Sequence, residues 1–569
     1  MTAPTATDPL APIDFSRPLL DQCEAIWKAT QERKRRQELM RLADAEIFLF
    51  DAEMRLQHVV RNEYGYDLML PSNDTGTFDL PVPFDSPVGQ WGWDEKGRLD
   101  RGEKKNINFV LEWNGSRIGG LIDDIDVDLD EKTGDQILTF KFLTDYEKLK
   151  WYSCWSNPWF PEWIQWPQVF LAAGPITWLL PLMLDLQIQR ERNAGWAVPN
   201  DPLDPGQRGD LDQSTYSMVV KPISFLEAMA SGVLWGLAIS RFKNFHELAT
   251  PMMDDGEVAC KIGIYLEGDP EPWPGANLRP GTRYVWFEDF SGTYSGTSHG
   301  GTIWDGLVRT VHEFVGDMID ANESLGGDFT IPPEYYDPTK PPRTQKICPS
   351  VVWRDGEISG LERYKYRRTH SKGIQVVTGG HSMPGVNEGI SAFIQMVGDL
   401  IAAAVVIPPI GGTVDAILAP IYTDALLAFM VARSAARAAA QGWTRYFELF
   451  QGSGGKAYTL SALLVLRAGF WATRAFDTVE FAARDASPFV IGEAGHVWVD
   501  DRCGFTIRGD KTGRIYMERV SKFHLRADRQ TPPTPSLTIG SAKALEDPVA
   551  KAFQQLREVF GELQQLGLF

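Results

Sequence analysis

The pentapeptide Gly296-Thr297-Ser298-His299-Gly300 has the spacing of a serine nucleophile, G-x-S-x-G. In a nucleophile elbow the serine sits on a sharp strand-to-helix turn, activated by a histidine that a carboxylate orients. The flanks fit in part, because a strand-like run, YVWFEDF, precedes it and a helix-like run follows. The immediate surroundings, SGTYSGTSHGGT, are so rich in Gly, Ser and Thr that such a match arises readily from composition. No parallel βαβ series or HGGG-type oxyanion loop precedes it, and nothing selects His370, His381, His496 or His524 as the base. The stretch reads as a flexible loop. A cell-envelope serine hydrolase with Ser298 as nucleophile stands as the alternative function.

The run Asp124-Ile125-Asp126-Val127-Asp128-Leu129-Asp130 has the alternating aspartates of a calcium loop. Leu129 stands where an EF-hand requires glycine, and the closing glutamate is missing. Alternation of Ile125, Val127 and Leu129 with aspartates describes a half-buried strand with an acidic outer face. His246-Glu247 and His312-Glu313 lack the second histidine of a zinc-binding HExxH helix. There is no Walker lysine motif and no strand-borne G-x-G-x-x-G. The sequence therefore calls for no catalytic residue, no cofactor and no metal.

The apolar segments are more informative. Leu400–Val414, LIAAAVVIPPIGGTV, contains no charge, and widening the window to Gly389–Tyr422 adds only Asp399 and Asp415. A straight bilayer span needs about 20 apolar residues, but Pro408-Pro409-Ile410-Gly411-Gly412 breaks any helix in the middle. The run predicts a helical hairpin over 388–446, with arms near 388–407 and Thr413–Tyr446. Its apolar tip carries Ile407, Pro408, Pro409 and Ile410, and such a tip should touch something other than water. Trp151, Trp155, Trp159, Trp163, Trp166 and Trp178 fall in one short stretch, where Pro158, Pro161 and Pro167 prevent a regular helix. Tryptophan is enriched at interfaces, so Trp155, Trp159 and Trp163 join the hairpin tip as candidate interaction residues. A core seam between domains is the alternative.

Around these lie the elements that must position them. At 569 residues the chain exceeds a single core, which stops growing near about 250–300 residues. Its formal charge of −19 argues against a phosphate-backbone binder, yet an acidic channel wall would let DNA pass without sticking. Cys23, Cys154, Cys260, Cys348 and Cys503 are scattered, without a CxxC, and read as reduced, buried thiols of a protein made in a cytoplasm. No signal peptide is expected, since no basic region followed by an apolar one precedes Phe15.

The organisation predicted is α+β and multidomain, with β-rich barrel or sandwich domains, a hydrophobic helical hairpin and terminal helices. A disordered arm and helix occupy 1–45, the helix carrying the basic patch Arg33–Arg36. A β-rich domain follows over 46–150, with strands at Glu46–Phe50, Gln57–Glu63, Tyr66–Leu70, Gly76–Leu80, Asn106–Trp113, Gly119–Leu129 and Gln136–Leu143. A Trp-rich connector spans 151–214. An α/β domain covers 215–340, with an amphipathic helix at Thr302–Asn322. The helical region 341–475 holds the hairpin and ends in a hinge at Gly452–Gly455 and a helix at Tyr458–Arg474. A β segment follows over 476–530, and a linker with the helix Asp547–Leu566 closes the chain over 531–569.

Several stretches together resemble the large minor tail proteins of long-tailed phages infecting actinobacteria, the central tail-tip or baseplate-hub proteins. The N-terminal marks are Asn73-Asp74-Thr75-Gly76-Thr77-Phe78 and the segment ending in LTFKFLTDYEKLKW. The C-terminal marks are Tyr422-Thr423-Asp424, Ala457-Tyr458-Thr459-Leu460, Pro488-Phe489, Gly495-His496, Asp501-Arg502 and Ile539-Gly540. The resemblance runs from about residue 45 to the end and is loose over 180–380. It implies a structural virion protein: a homotrimeric ring that ends the tail tube, with the distal tail protein, the tape-measure protein and other minor tail proteins as partners. DNA would be met only in transit. From its apolar turn alone, the hairpin tip is expected to meet the host membrane or plug the tube, with packing as core on the trimer axis as the alternative.

Replacing Ser298 by alanine separates the two functions. Particles carrying Ser298→Ala should keep full infectivity, measured as plaque yield, whereas a hydrolase would lose its activity with the hydroxyl.

Overall fold

The computed structural model describes residues 16–129, 134–157, 160, 164–165, 170–193, 213–231, 233, 235–240, 242–290, 310–315, 318–323, 350–353, 361–381, 429–456, 469, 473, 476–484, 489–511 and 514–540. The fold is α+β, with strands dominant. Ser298, the hairpin-tip residues Ile407, Pro408, Pro409 and Ile410, Trp159, Trp163 and the helix expected at Asp547–Leu566 lie outside the described residues.

A single helix, α1 (Leu19–Arg41), leads into a meander of strands: β1 (Glu46–Phe50), β2 (Leu56–Val60), β3 (Gly65–Pro71), β4 (Thr77–Pro83), β5 (Asn108–Trp113), β6 (Ser116–Leu129) and β7 (Gln136–Thr144). Two short helices, α2 (Pro87–Trp93) and α3 (Glu95–Asp100), interrupt it. Next come β8 (Phe170–Pro175), α4 (Ile176–Asn193), β9 (Met218–Val220), α5 (Phe225–Ala230), β10 (Trp235–Ser240), α6 (Phe245–Gly256), β11 (Val258–Ile264) and β12 (Arg283–Asp289). The later strands are β13 (Thr310–Val315), β14 (Met318–Glu323), β15 (Val351–Trp353), β16 (Leu361–Thr369), β17 (Gln375–His381), β18 (Phe429–Arg433) and β19 (Glu448–Lys456). The last are β20 (Phe476–Arg484), β21 (Arg502–Phe505), β22 (Arg514–Asp528) and β23 (Thr534–Ile539).

The main sheet runs β16-β20-β23-β22-β3-β4-β7-β6-β5-β1-β2, and among the described residues it does not close into a barrel. The segments expected apart at 46–150 and 476–530 meet where β22 pairs antiparallel with β3, from Lys522 opposite Pro71 to Asp528 opposite Gly65. One core therefore serves both. Phe78 stacks on Phe109 with ring centroids 4.5 Å apart, and Trp113 stacks on Phe523 at 5.5 Å. Trp498 lies 4.7 Å from Phe523, which joins the N-terminal aromatics to the C-terminal ones. Pro81 is tolerated inside the sheet because the β3–β4 ladder stops at Asp79, so no bond on that side asks for its missing N–H. Asn114-Gly115 joins β5 to β6 as a two-residue turn, with φ of 45° and 79°, the left-handed pair a tight hairpin needs.

A second core packs around α4 and α6, with Leu179, Leu180, Met183 and Leu184 against Phe245, Val258 and Val285. Here β11, β12 and β9 form a small sheet, and β8 pairs with β10 in another. Neither helix was legible: α4 is apolar nearly all round and carries Pro181, and α6 carries Pro251.

Three expectations give way. Thr302–Asn322 is not a helix where it is described; β13 and β14 form a hairpin, and β13 also pairs with β22. Val311, Phe314 and Val315 suit a strand as well as a helix face, and a neighbouring strand edge decides between them. The second arm expected over Thr413–Tyr446 contains β18 and the short helix Ala435–Gln441, because Phe429–Arg433 finds a partner in β17. The hinge expected at Gly452–Gly455 lies inside β19, which runs parallel to β17. The acidic run at 124–128 does lie on β6, with Asp124 and Asp128 exposed and Asp126 paired to Lys141, but the apolar side expected to be buried is not: Ile125 packs on the core while Val127 and Leu129 are exposed.

Phe78 has no exposed surface, and truncating it removes the ring at the centre of the stack. Phe78→Ala should destabilise the protein by about 3–5 kcal/mol, read as a lower denaturant midpoint at unchanged slope.

Candidate functional site

The described groups with unusual chemistry gather where the two cores meet. A cavity of about 100 Å³ lies there, its walls including Ser72, Asn73, Tyr146, Cys260, Lys261 and Asp500.

Asp500 is the focus. Its carboxylate accepts from Lys261 Nζ at 2.7 Å, from Arg519 Nη2 at 2.8 Å and from the Ser72 hydroxyl. Lys261 also donates to the Val499 carbonyl at 2.9 Å, and Arg519 to Ser72 Oγ at 3.1 Å. The backbone of Asp500 is left-handed, with φ of 78°, and its N–H donates to the Val520 carbonyl at 3.0 Å. Burial alone would raise this carboxyl, but Lys261 and then Arg519 outweigh it and hold it down to about 2. One side chain thus ties together the end of β3, strand β11, the loop before β21 and strand β22.

The NDTG motif supplies a second tie. Asn73, at φ of 52°, donates from Nδ2 to the Val258 carbonyl at 2.8 Å and accepts from Cys260 N–H at 2.8 Å. Its side-chain amide pairs with the edge of β11 as a strand backbone would. Asp74 pairs with Lys150 at 2.9 Å, and Thr75 Oγ1 donates to Glu147 at 2.6 Å. Gly76 has no room for a Cβ, which would collide with the Met69 carbonyl.

A third tie is the buried pair of Arg283 Nε and Asp145, 3.1 Å to each oxygen, with Arg283 Nη2 also donating to Asn108 Oδ1 at 2.8 Å. Burial opposes the Asp145 charge, yet Arg283 and Lys148 hold its carboxyl below the ordinary range. Arg117 reaches across to Asp269 and to the Ile264 carbonyl, the latter at 3.1 Å. Arg502 pairs with Glu257 and donates to the Phe290 carbonyl at 3.1 Å.

This is the chemistry of a lock rather than of catalysis. The charges at the seam are matched, and burial pushes the Cys260 thiol far above its usual range, away from the nucleophilic thiolate. Cys23, Cys154, Cys260 and Cys503 are free thiols; Cys154 and Cys503 are buried as expected, but Cys23 is exposed on α1. Among the described residues no cluster of three metal-ligating side chains occurs. His246 is in the first turn of α6, with Nδ1 3.1 Å from the Tyr146 hydroxyl; His312 lies on β13, not on a helix. His524 faces Asp67 at 2.7 Å, and His496 Nδ1 accepts from Val490 N–H at 3.1 Å. Burial, then Arg41 and Arg33, lower the His496 imidazole to about 4.

Of the sequence-predicted interaction residues, Trp155 is half-buried in the second core's periphery, with Arg190 4.3 Å over its ring and Phe242 edge-on at 5.2 Å. Trp151 is 81% exposed. Sequence reasoning missed Asp500 as a hub and Lys261 altogether. A signal for the first lay in Asp501-Arg502, quoted above only as a family mark.

The chain matches the family described as Siphovirus ReqiPepy6 Gp37-like protein over residues 46–541. It is 28% identical to the Minor tail protein Gp28 of Mycobacterium phage L5, over 96% of this chain and 98% of that protein. The Minor tail protein Gp28 of Mycobacterium phage D29 is equally similar, at 28% over the same shares. The fold is also similar to that of the tail protein from Neisseria meningitidis MC58, at a TM-score of 0.37 and 10% identity over 89% of this chain and 99% of that one. That likeness is too loose to carry an argument.

The Asp500 carboxyl lies below its ordinary value of 3.8, so its contribution to stability is complete above that value and is lost as pH falls through about 2. The drop from 3.8 to about 2 corresponds to about 2 kcal/mol. Asp500→Asn should be destabilised by about 3–5 kcal/mol at neutral pH, because Lys261 and Arg519 are left facing each other uncompensated. It should also lose part of the wild-type dependence between pH 4 and pH 2, measured by denaturant titration at each pH.

Proposed function

Because the chain belongs to the family of Siphovirus ReqiPepy6 Gp37-like proteins, we propose that it is a minor tail protein, the central hub of the tail tip of a long-tailed phage. The observation that carries this reading is the near full-length similarity to two proteins named as minor tail proteins. A hub ends the tail tube, binds the distal tail ring above it, contacts the end of the tape-measure protein and takes part in host attachment and DNA delivery. It is made in the host cytoplasm and resides in the virion.

A structural role agrees with a seam whose polar groups bind one another and not a substrate. The acidic excess suits a conduit wall, since like charge keeps the DNA backbone from adhering. Asp124 and Asp128, exposed on β6, are the residues we assign to such a wall. In a closed threefold ring each subunit presents two different faces to its neighbours. We assign the hairpin tip, Ile407, Pro408, Pro409 and Ile410, and the tryptophans Trp155, Trp159 and Trp163 to contacts that only assembly or infection completes. The serine-hydrolase alternative has no observation in its favour.

Native mass measurement on purified tail tips tests the assembly. Three copies per particle are expected, and a single copy would remove the ring from the proposal.

A further inference from the structure

Outside the seam, the small sheet β18-β17-β19 carries an apolar surface that the lock does not use. Trp443 is 95% exposed, Tyr446 69%, Phe447 53%, Phe450 56% and Val431 54%. The register puts two of them on one face: Val431 lies opposite Val377, which lies beside Phe450 in the parallel partner. Trp443 stands at the turn that ends the helix Ala435–Gln441, where Gly442 takes φ of 71° and donates its N–H to the Ala438 carbonyl at 3.2 Å.

This surface is held firmly. Ile374 N–H donates to the Phe447 carbonyl at 3.1 Å, and Gln441 Nε2 donates to the Ser371 carbonyl at 3.0 Å. Arg437 is buried and donates to Thr473 Oγ1 at 3.0 Å. The aromatics therefore project from a fixed frame, which lowers the entropy lost when they are covered.

Charge says what covers them. The chain as a whole is −19, yet of the charged side chains described over 429–450 the exposed ones are Arg433 and Arg445 against Glu448, Arg437 being buried. Arg433 and Arg445 are exposed among the aromatics, and Arg433 lies 5.7 Å over the Phe447 ring. Tryptophan and tyrosine with arginine are the side chains that settle at a bilayer interface, the rings at headgroup depth and the cations on anionic phosphates.

We propose that the aromatic surface around Trp443 and Tyr446, beside the β18-β17-β19 sheet, docks on an anionic lipid bilayer surface. The contact is interfacial rather than spanning: among the described residues no helix is long and apolar enough to cross a membrane. The biological setting, a tail tip brought against a host envelope, rests on the function proposed above, but the binding itself is tested on the isolated full-length chain.

Flotation with vesicles of phosphatidylethanolamine and phosphatidylglycerol should carry the wild-type chain upward, and pure phosphatidylcholine should carry much less. Trp443→Ser with Tyr446→Ser should reduce the floating fraction by about tenfold at unchanged melting temperature, since both side chains are on the surface. Arg433→Gln with Arg445→Gln should weaken binding to the anionic vesicles and flatten its salt dependence. Trp443→Phe keeps the aromatic and should float nearly as well, while losing part of the tryptophan quenching by brominated lipid. Wild-type protein that stays at the bottom, or a serine variant that floats as well as wild type, overturns the proposal. So does a serine variant that is instead lost from assembled tails, which would assign the face to a neighbouring tail protein. A chain that floats but never enters a tail overturns the hub reading and leaves the lipid contact standing.

Discussion

A carboxylate that is 3% exposed cannot stay charged without cations, and Asp500 has two of them, brought from separate parts of the chain. Ser72 comes from the end of β3, Lys261 from β11 and Arg519 from β22, and none of these segments adjoins another in sequence. The arrangement is useful for specificity more than for raw stability, because desolvating three charges costs much of what their attraction returns. What it does impose is a penalty on every wrong docking of the second core on the sheet. Asn73 and the Arg283–Asp145 pair act in the same way at the same seam. A slipped arrangement would leave buried charges and a strand edge unmatched, so the two cores behave as one body with a single register.

That constraint explains the unusual backbone around it. Asn73, Asn114 and Asp500 all hold positive φ without being glycine, a conformation that Asn and Asp tolerate better than other residues. Each also donates or accepts across the seam or to the loop that supports it: Asn114 Nδ2 reaches the Ile491 carbonyl at 3.1 Å, and Ala494 N–H returns to the Asn114 carbonyl at 2.9 Å. Side chains short enough to bond locally serve twice, setting the turn and making the tie.

The sheet was largely legible because its signals are local. β1 spans Glu46–Phe50 as predicted, and the alternation in β7 follows from one buried and one wetter face. NDTG could be recognised as a motif, but not understood, since its partners Val258 and Cys260 lie far along the chain. The seam itself was not legible: nothing in a single lysine at 261 distinguishes a surface cation from one that neutralises Asp500. Helix and strand were confused where tertiary partners decide. Val311, Phe314 and Val315 fit one helical face, yet an available edge on β22 offers β13 the backbone bonds of a sheet. Glycines misled in the opposite direction, for Gly452 continues the parallel pairing of β19 with Gly379 where a hinge was expected.

The division of labour between the surfaces follows from what each buries. The seam spends its polar groups on one another and offers nothing to a partner. The surface around Trp443 does the reverse, with backbone bonds satisfied inside the small sheet and the Trp443 and Tyr446 rings left toward solvent. Large rings at such exposure are costly for a free chain, because they invite non-specific association. A protein whose family is built into virions tolerates that cost if the surface has a designated contact at a later step. The acidic charge elsewhere on the chain works with this, since it repels other acidic copies and leaves the arginine-flanked aromatics as the favoured point of approach for an anionic surface. Stability and contact are thereby separated in space: substitutions at Trp443 should leave the lock untouched, and substitutions at Asp500 should act on the contact only by loosening the whole body that carries it.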